Sequence, residues 1–373
     1  MGAEYRQLEA TAEYRGLAVA GAQLANGASY NQRTMAQPQQ EMPPVALLFR
    51  MITGKWVSAA IGMVARFCIA DHVKDGPKSV EELAALSKTH APSLYRLLRA
   101  TASLGIFAEM PDGRFAQTPL SDCLRTNSSA GVRNLAMFML DEWHMRAWTE
   151  MPWAVETGKP ATEKLFGMPG FDWMAQNPEQ TVNFNNAMTD LSRTHAPVVA
   201  STYDFSGFTH LVDAGGGLGM LLAAILERNP ALHATLCELP YVIEQASKGP
   251  ILAPFAERCS FAAGNFLEAV PAGGDAYIMK HILHDWDDAH CTRILANIRR
   301  AIAPNGKLLV VDYVVGPGNT PDPAKLMDLE MLMIGGKERT ETEWRELFHA
   351  GGFALQRVIP TPAGLCVIEG TPA

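Results

Sequence analysis

From Val45 to about Phe107, apolar residues recur at three- and four-residue spacing, the period of helices that bury one face. Ser79, Val80, Glu81 and Glu82 form a capping box, so this region reads as two helices and a turn. The second helix starts at Pro92 and runs through Leu94, Leu97, Leu98 and Leu104. Ile106 to Ala108 and Arg114 to Ala116 flank Asp112-Gly113 and predict a hairpin about a tight turn. Helix, helix, hairpin is a winged-helix arrangement. Residues 130 to 200 keep the helical period and are rich in Phe, Trp and Met. After Phe208 the pattern changes to short β-branched or apolar runs between helices: His210 to Asp213, Ala234 to Glu238, Arg258 to Phe261, Asp275 to Met279 and Lys307 to Val314. This alternation predicts an α/β fold with a mostly parallel sheet. Ala354 to Ile359 and Leu365 to Glu369 flank a Pro/Gly turn and read as an antiparallel hairpin closing that sheet.

Composition supports a full core: the 373 residues are 48% apolar and only 19% charged. Residues 1–40 differ. They are rich in Ala, Gly, Gln and Asn and show little periodic signal, so a flexible extension is expected there, followed by a helical domain over 41–195 and an α/β domain over 196–373. The net charge of −8 disfavours nucleic acid as a partner. The winged segment agrees, because Lys78, Lys88, Arg96, Arg99 and Arg114 are balanced by Asp75, Glu81, Glu82, Glu109 and Asp112. The apolar stretch Trp56 to Ala65 is closed by Arg66 and falls short of the roughly 20 residues of a membrane span. Glu4, Arg6, Glu9, Glu13 and Arg15 break any secretory leader, which makes a cytoplasmic location the expectation. The six cysteines are scattered without a C-x-x-C pair and read as reduced thiols.

The chemistry concentrates after residue 210. Asp213-Ala214-Gly215-Gly216-Gly217-Leu218-Gly219 puts a glycine-rich turn between a strand and the helix Met220 to Arg228, where backbone approaches a ligand closely. The dinucleotide pattern G-x-G-x-x-G fails on spacing, since Met220 or Leu222 stands in its last slot. A nucleoside cofactor with an amino-acid tail suits the turn better, with Glu238 at the end of the next strand for a ribose diol.

With these residues in order, the chain resembles the class I S-adenosylmethionine-dependent methyltransferases, and specifically the small-molecule O-methyltransferases of plant phenylpropanoid and bacterial polyketide metabolism. The resemblance covers roughly residues 45 to 370. It rests on Asp213 to Gly219, Glu238-Leu239-Pro240, Gly264-Asn265-Phe266, Lys280, His284-Asp285-Trp286 and Gly335-Gly336-Lys337-Glu338-Arg339-Thr340, with Phe184-Asn185-Asn186-Ala187-Met188 ahead of them. It implies a Rossmann-like seven-stranded methyltransferase domain preceded by a mostly helical winged-helix dimerisation domain, and a homodimer whose interface accounts for an apolar surface between Val45 and Ala70. It also implies S-adenosylmethionine as cofactor and S-adenosylhomocysteine as product, without a metal.

Carried over by residue, the resemblance sets Asp213, Gly215 and Gly217 at the methionine part of the cofactor. Glu238 with Leu239 falls at the ribose; Gly264, Asn265, Phe266 and Trp286 fall about the adenine; and Lys280 falls at the carboxylate. The family usually has Asp where Asn265 stands, and an amide oxygen can still accept from the adenine amine. His284 matches the catalytic base. A phenol of pKa near 10 is about a thousandfold under-ionised at neutral pH, and a neutral imidazole that takes its proton removes that deficit. The resemblance offers Asp312 and Glu338 as carboxylates to orient His284, and leaves open which one does. Phe138, Trp143, Phe184, Asn185, Met188, Asp285, Met327 and Met331 would face the acceptor.

Other readings weigh on the same residues. His281, His284, Asp285, Asp287, Asp288 and His290 form a loose cluster of metal-ligand types, but no third ligand stands at a standard interval, and Asp287, Asp288 and His290 suit the first turn of a helix. Methyltransferase-like hydroxylases and decarboxylases, N- or C-methylation, and a winged-helix metabolite sensor compete with O-methylation of an aromatic hydroxyl. The retained His284 and Glu338 favour the last.

Overall fold

A computed structural model describes residues 42–129 and 131–373; the extension expected over 1–40 lies outside the described residues. The chain divides into two units, Met1–Met51 and Ile52–Ala373. The described part of the first belongs to the helix Pro44–Ile52, where Val45, Leu48 and Met51 are exposed. By length and composition Pro44–Arg66 is long and apolar enough to cross a membrane, so the apolar run is longer than the Trp56 to Ala65 stretch counted from sequence.

The second unit opens with the helices Gly54–Arg66, Ile69–His72, Val80–Ser87 and Ala91–Ser103. The expected pair of helices is therefore subdivided. Cys68 and Lys88 adopt left-handed backbone at φ 53° and 56° and end helical runs that periodicity alone continues. The capping box forms as read, Ser79 Oγ accepting the Glu82 N–H at 3.2 Å while Glu82 accepts the Ser79 N–H at 2.7 Å. Strands β1 (Phe107–Glu109) and β2 (Phe115–Gln117) pair antiparallel, and Phe107 and Phe115 join Val64, Ile69, Leu83, Leu94 and Leu98 in a core of their own. Short helices continue to the long helix Pro178–Thr202.

Strands β3 (His210–Ala214), β4 (His233–Glu238), β5 (Cys259–Ala263), β6 (Ala276–Lys280), β7 (Lys307–Asp312), β8 (Phe353–Pro360) and β9 (Cys366–Pro372) form one sheet in the order β5-β4-β3-β6-β7-β9-β8. All pairs are parallel except those made by β9, which closes the sheet as the expected hairpin. One face packs on Leu221, Leu222, Ile225 and Leu226 with Ala196 and Val199, and the other on Ile294, Leu295, Ile298, Trp344 and Phe348. The order reverses at β3, between β4 and β6, and in such sheets ligands bind in the crevice beyond the carboxyl ends of the strands. Asp213, Glu238, Lys280 and Asp312 all stand at those ends. β7 ends at Asp312, two residues earlier than read, because Val314 leaves it to bridge Arg339.

Candidate active site

His284 sits in a one-turn 3-10 helix, Leu283–Asp285, just beyond β6. Its Nδ1 lies 2.7 Å from Glu338 Oε1 and 3.3 Å from Asp312 Oδ1, so both acids left open by the sequence reach the same nitrogen, Glu338 more closely. A nitrogen facing two carboxylate oxygens carries the hydrogen and donates it, which leaves the lone pair of the neutral ring on Nε2. Nε2 is 3.5 Å from Asp285 Oδ1.

The loop that brings Glu338 here approaches the turn Leu283–Asp285 very closely. Lys337 N–H donates to His284 O at 2.7 Å, and a Cβ on Gly336 would stand 2.0 Å from that oxygen, so only glycine fits. Arg339, fully buried, donates to Leu283 O at 3.0 Å and Trp286 O at 3.0 Å and pairs with Asp288 at 2.7 Å, satisfying the irregular backbone around His284. Asp328 Oδ1 accepts the Glu338 N–H at 2.8 Å.

Burial favours an uncharged His284, but the carboxylates of Asp312, Asp285 and Glu338 outweigh it and push the imidazole up to about 10. Burial pushes Glu338 up to about 7 and Asp285 up to about 6. Asp312 is held below the usual carboxylate range, against its burial, by His284, His281 and Lys280. The three acids thus favour the charged ring over the neutral one that the chemistry calls for. His281, His284 and Asp312 also converge with ligand-type atoms within 4.8 Å, and those atoms are engaged in hydrogen bonds with one another. Asp285 stays beside His284, whereas the other members of the cluster seen in the sequence disperse: Asp287 caps the helix Asp288–Ala301, accepting the His290 N–H at 2.8 Å, and Asp288 pairs with Arg339.

The glycine turn follows β3. Gly215 and Gly217 have φ of 83° and 58°, and a Cβ on Gly216 would lie 2.3 Å from Asp213 Oδ2. Glu238 accepts the Gly217 N–H at 3.2 Å and the Leu239 N–H at 2.7 Å, tying the turn to the end of β4. Gly264 N–H bonds Glu238 O at 2.9 Å. Asn265 Oδ1 accepts the Leu267 N–H at 3.0 Å, so the amide oxygen assigned to an adenine amine already serves its own loop. Asn297 holds Phe266 O at 2.8 Å, and Trp286 stands edge-on to Phe266 with centroids 6.3 Å apart.

Both oxygens of fully buried Asp213 lack a hydrogen-bond partner among the described residues, and burial pushes this acid up to about 7. Burial lowers the nearby Lys280 ammonium to about 8 against the pull of Asp213, Asp312 and Asp285. An unpaired acid and a desolvated ammonium beside a tight glycine turn suit a ligand that carries both a cation and a carboxylate.

The pattern of the O-methyltransferase domain matches residues 148–354, and that of the O-methyltransferase dimerisation domain matches residues 49–127. The chain belongs to the O-methyltransferase family. It is 42% identical over 89% of its length to a phenazine O-methyltransferase of Lysobacter antibioticus, 97% of which is covered. It is 35% identical over 84% of its length to a mitomycin biosynthesis 6-O-methyltransferase of Streptomyces lavendulae, covered over 90%. Among solved structures it resembles human N-acetylserotonin methyltransferase in complex with S-adenosylmethionine, with a TM-score of 0.82, 25% identity, and coverage of 90% of this chain and 100% of that one. The enzyme is an S-adenosylmethionine-dependent methyltransferase with a seven-stranded Rossmann-like domain. The residues fit that cofactor: the ammonium of its amino-acid end would offer Asp213 the hydrogen-bond donor it lacks among the described residues, and Lys280 would meet the carboxylate.

Phe138, Trp143, Phe184 and Met188, expected at the acceptor, share one cluster with Met174, Ala187, Phe171 and Trp173. Phe171 links it to the segment after His284, stacking on Trp286 at 5.8 Å and 17°. Asn185 lies on the long helix between Phe184 and Met188 and is partly buried. Met327 and Met331 lie one turn apart on the helix Ala324–Ile334, Met331 buried and Met327 partly so. Glu330 on that helix takes His144 Nε2 at 2.8 Å and Trp148 Nε1 at 2.8 Å, binding it to the helix Glu142–Thr149. Sequence reasoning missed Glu330, His144 and His195, which stand in no motif, and named Asp328 only as one of a segment facing the acceptor. It quoted Arg339 inside a motif and His281 in the metal-type cluster, but gave neither a role beside His284.

Proposed function

We propose that this methyltransferase acts on a hydroxyl of a planar aromatic acceptor, with His284 as the general base. The observation that carries the proposal is the pinning of His284 Nδ1 by Glu338 and Asp312, which leaves Nε2, beside Asp285, as the atom that can take a proton. Bound S-adenosylmethionine supplies an electrophilic methyl group on a sulfonium sulfur. The acceptor oxygen would take that methyl group with S-adenosylhomocysteine as the leaving group, and Nε2 would receive the acceptor's proton. Glu338 and Asp312 stabilise the imidazolium that results, and Asp285 orients the hydroxyl. Lys280, Asp213 and Glu238 hold the cofactor's amino-acid and ribose ends, while the aromatic side chains from Phe138 to Trp286 exclude water and accept a flat ring. The helical segment within 41–195 shapes the acceptor side, and 196–373 carries the cofactor.

The enzyme works as a homodimer in this reading. Exposed apolar residues such as Ile52 and Val57 lie within the segment that matches the dimerisation domain, and an exposed apolar patch of this kind marks an interface.

Calorimetric titration with S-adenosylhomocysteine and turnover on a panel of phenols test the assignment together. His284→Ala should leave the affinity for S-adenosylhomocysteine nearly unchanged and lower turnover by about 10² to 10⁴. Undiminished turnover in that variant removes His284 as the base.

A further inference from the structure

We propose that His281 is a positioning residue for the base: it shares Asp312 with His284 as a neutral hydrogen-bond donor and so limits how strongly Asp312 holds the proton on His284.

His281 is the residue after β6, and its φ of 53° places it in left-handed backbone, which His tolerates better than bulky or β-branched residues. That conformation keeps its N–H on Val311 O at 3.1 Å and lays its ring parallel to that of His284, centroids 4.9 Å apart at 22°. Nδ1 is 3.2 Å from Asp312 Oδ1, the oxygen that also lies 3.3 Å from His284 Nδ1. Nε2 is 3.5 Å from Nδ1 of His195 on the long helix Pro178–Thr202.

The tautomer follows from these partners. A nitrogen against a carboxylate donates, so His281 carries its hydrogen on Nδ1 and accepts at Nε2 from His195 Nδ1–H. The surroundings oppose a second cation: Lys280 is adjacent in sequence, His284 is stacked on the ring, His195 meets its far nitrogen, and Tyr313 lies 5.8 Å away. Burial and Lys280 push His281 down to about 3 and His195 down to about 4. One oxygen of Asp312 therefore serves two imidazoles, one permanently neutral and one that must gain and lose a proton. Without the His281 donor, that oxygen turns wholly to His284 and the imidazolium becomes harder to deprotonate.

The pH profile of kcat/KM tests this and rests on His284 being the base of methyl transfer. His281→Phe keeps the ring volume and removes the donor; its acid limb should move to higher pH by about one unit, the scale of a hydrogen bond to a charged group. His281→Asn retains an N–H near the Nδ1 position and accepts left-handed backbone, and should restore the wild-type limb. An unmoved limb in His281→Phe, or equal movement in both variants, overturns the proposal. A second measurement depends on neither methyl transfer nor the Phe variant. In the enzyme labelled with 15N in its histidine rings, the imidazole signal absent from His281→Asn should be an Nδ1–H tautomer that stays neutral down to about pH 5, well below an ordinary histidine pKa. An Nε2–H tautomer, or titration with the ordinary histidine pKa, overturns it. Wild-type enzyme without turnover on any phenol would count against the proposed function alone, and the tautomer would still decide the role of His281.

Discussion

In the proposed mechanism His284 works through one nitrogen because two acids occupy the other, and the same acids would set the pH at which it works. Since Asp312, Asp285 and Glu338 push the imidazole up to about 10, kcat/KM should climb through the neutral range, with its acid limb well above that of an ordinary histidine. Glu338→Gln removes the charge on the closest partner. It should move the limb down by about one unit or more and lower the plateau by about tenfold or more, and a pH–rate series reads both. A limb that does not move would mean that Asp312 and Asp285 dominate. The cluster also contributes to stability, with a definite sign. The folded pKa of His284 exceeds its unfolded value, so its contribution is complete below about pH 6.5 and is lost as pH rises toward 10. Asp213 is an acid pushed up to about 7, with no hydrogen-bond partner for either oxygen among the described residues, so its penalty on the folded protein grows from about pH 4 and is complete above about 7. Asp213→Asn should therefore raise the Tm of the cofactor-free enzyme by about 2–5 °C at pH 8, more than at pH 5, while weakening cofactor binding. Equal shifts at the two pH values would show that ionisation is not the cause.

At the scale of the element, the loop from Gly335 to Thr340 matters more than any regular helix. It passes so close to the base turn that Gly336→Ala must displace either His284 O or the loop. Activity should fall at least about tenfold, the cost of about 1.4 kcal/mol of misplacement at the base, with a lowered Tm as well. Ser79→Ala offers a contrast. It removes one bond of a capping box remote from the site and should cost about 1 kcal/mol of stability in chemical denaturation with no change in kcat. Local rules served well where they are sufficient: the helix Met220 to Arg228 and the Ser79 box form as the sequence alone indicates. They failed at Cys68 and Lys88, because a left-handed backbone angle on a non-glycine residue leaves no mark in the pattern of apolar positions. They failed also at Val314, which leaves its strand for a partner far along the chain, Arg339.

For the whole molecule, the proposed dimer places the exposed apolar residues near the start of the described chain at its interface. Ile52→Asp with Val57→Asp should convert a dimer to a monomer in light scattering at micromolar concentration, and a mass unaltered from that of a monomeric wild type would end the dimer proposal. The sequence by itself determined the sheet, its closing hairpin and the glycine turn, since period, strand composition and turn residues are local properties that survive in any context. It also placed Asp213, Glu238, Lys280 and Asp312 at strand ends, and parallel topology then gathers all four on one rim. Only the tertiary structure decided that both Asp312 and Glu338 reach one nitrogen of His284, that Glu330 ties its helix to His144 and Trp148, and that His195 meets His281. These contacts join residues many positions apart across packed elements, where distances of a few tenths of an ångström set which hydrogen bond forms and no spacing along the chain encodes them.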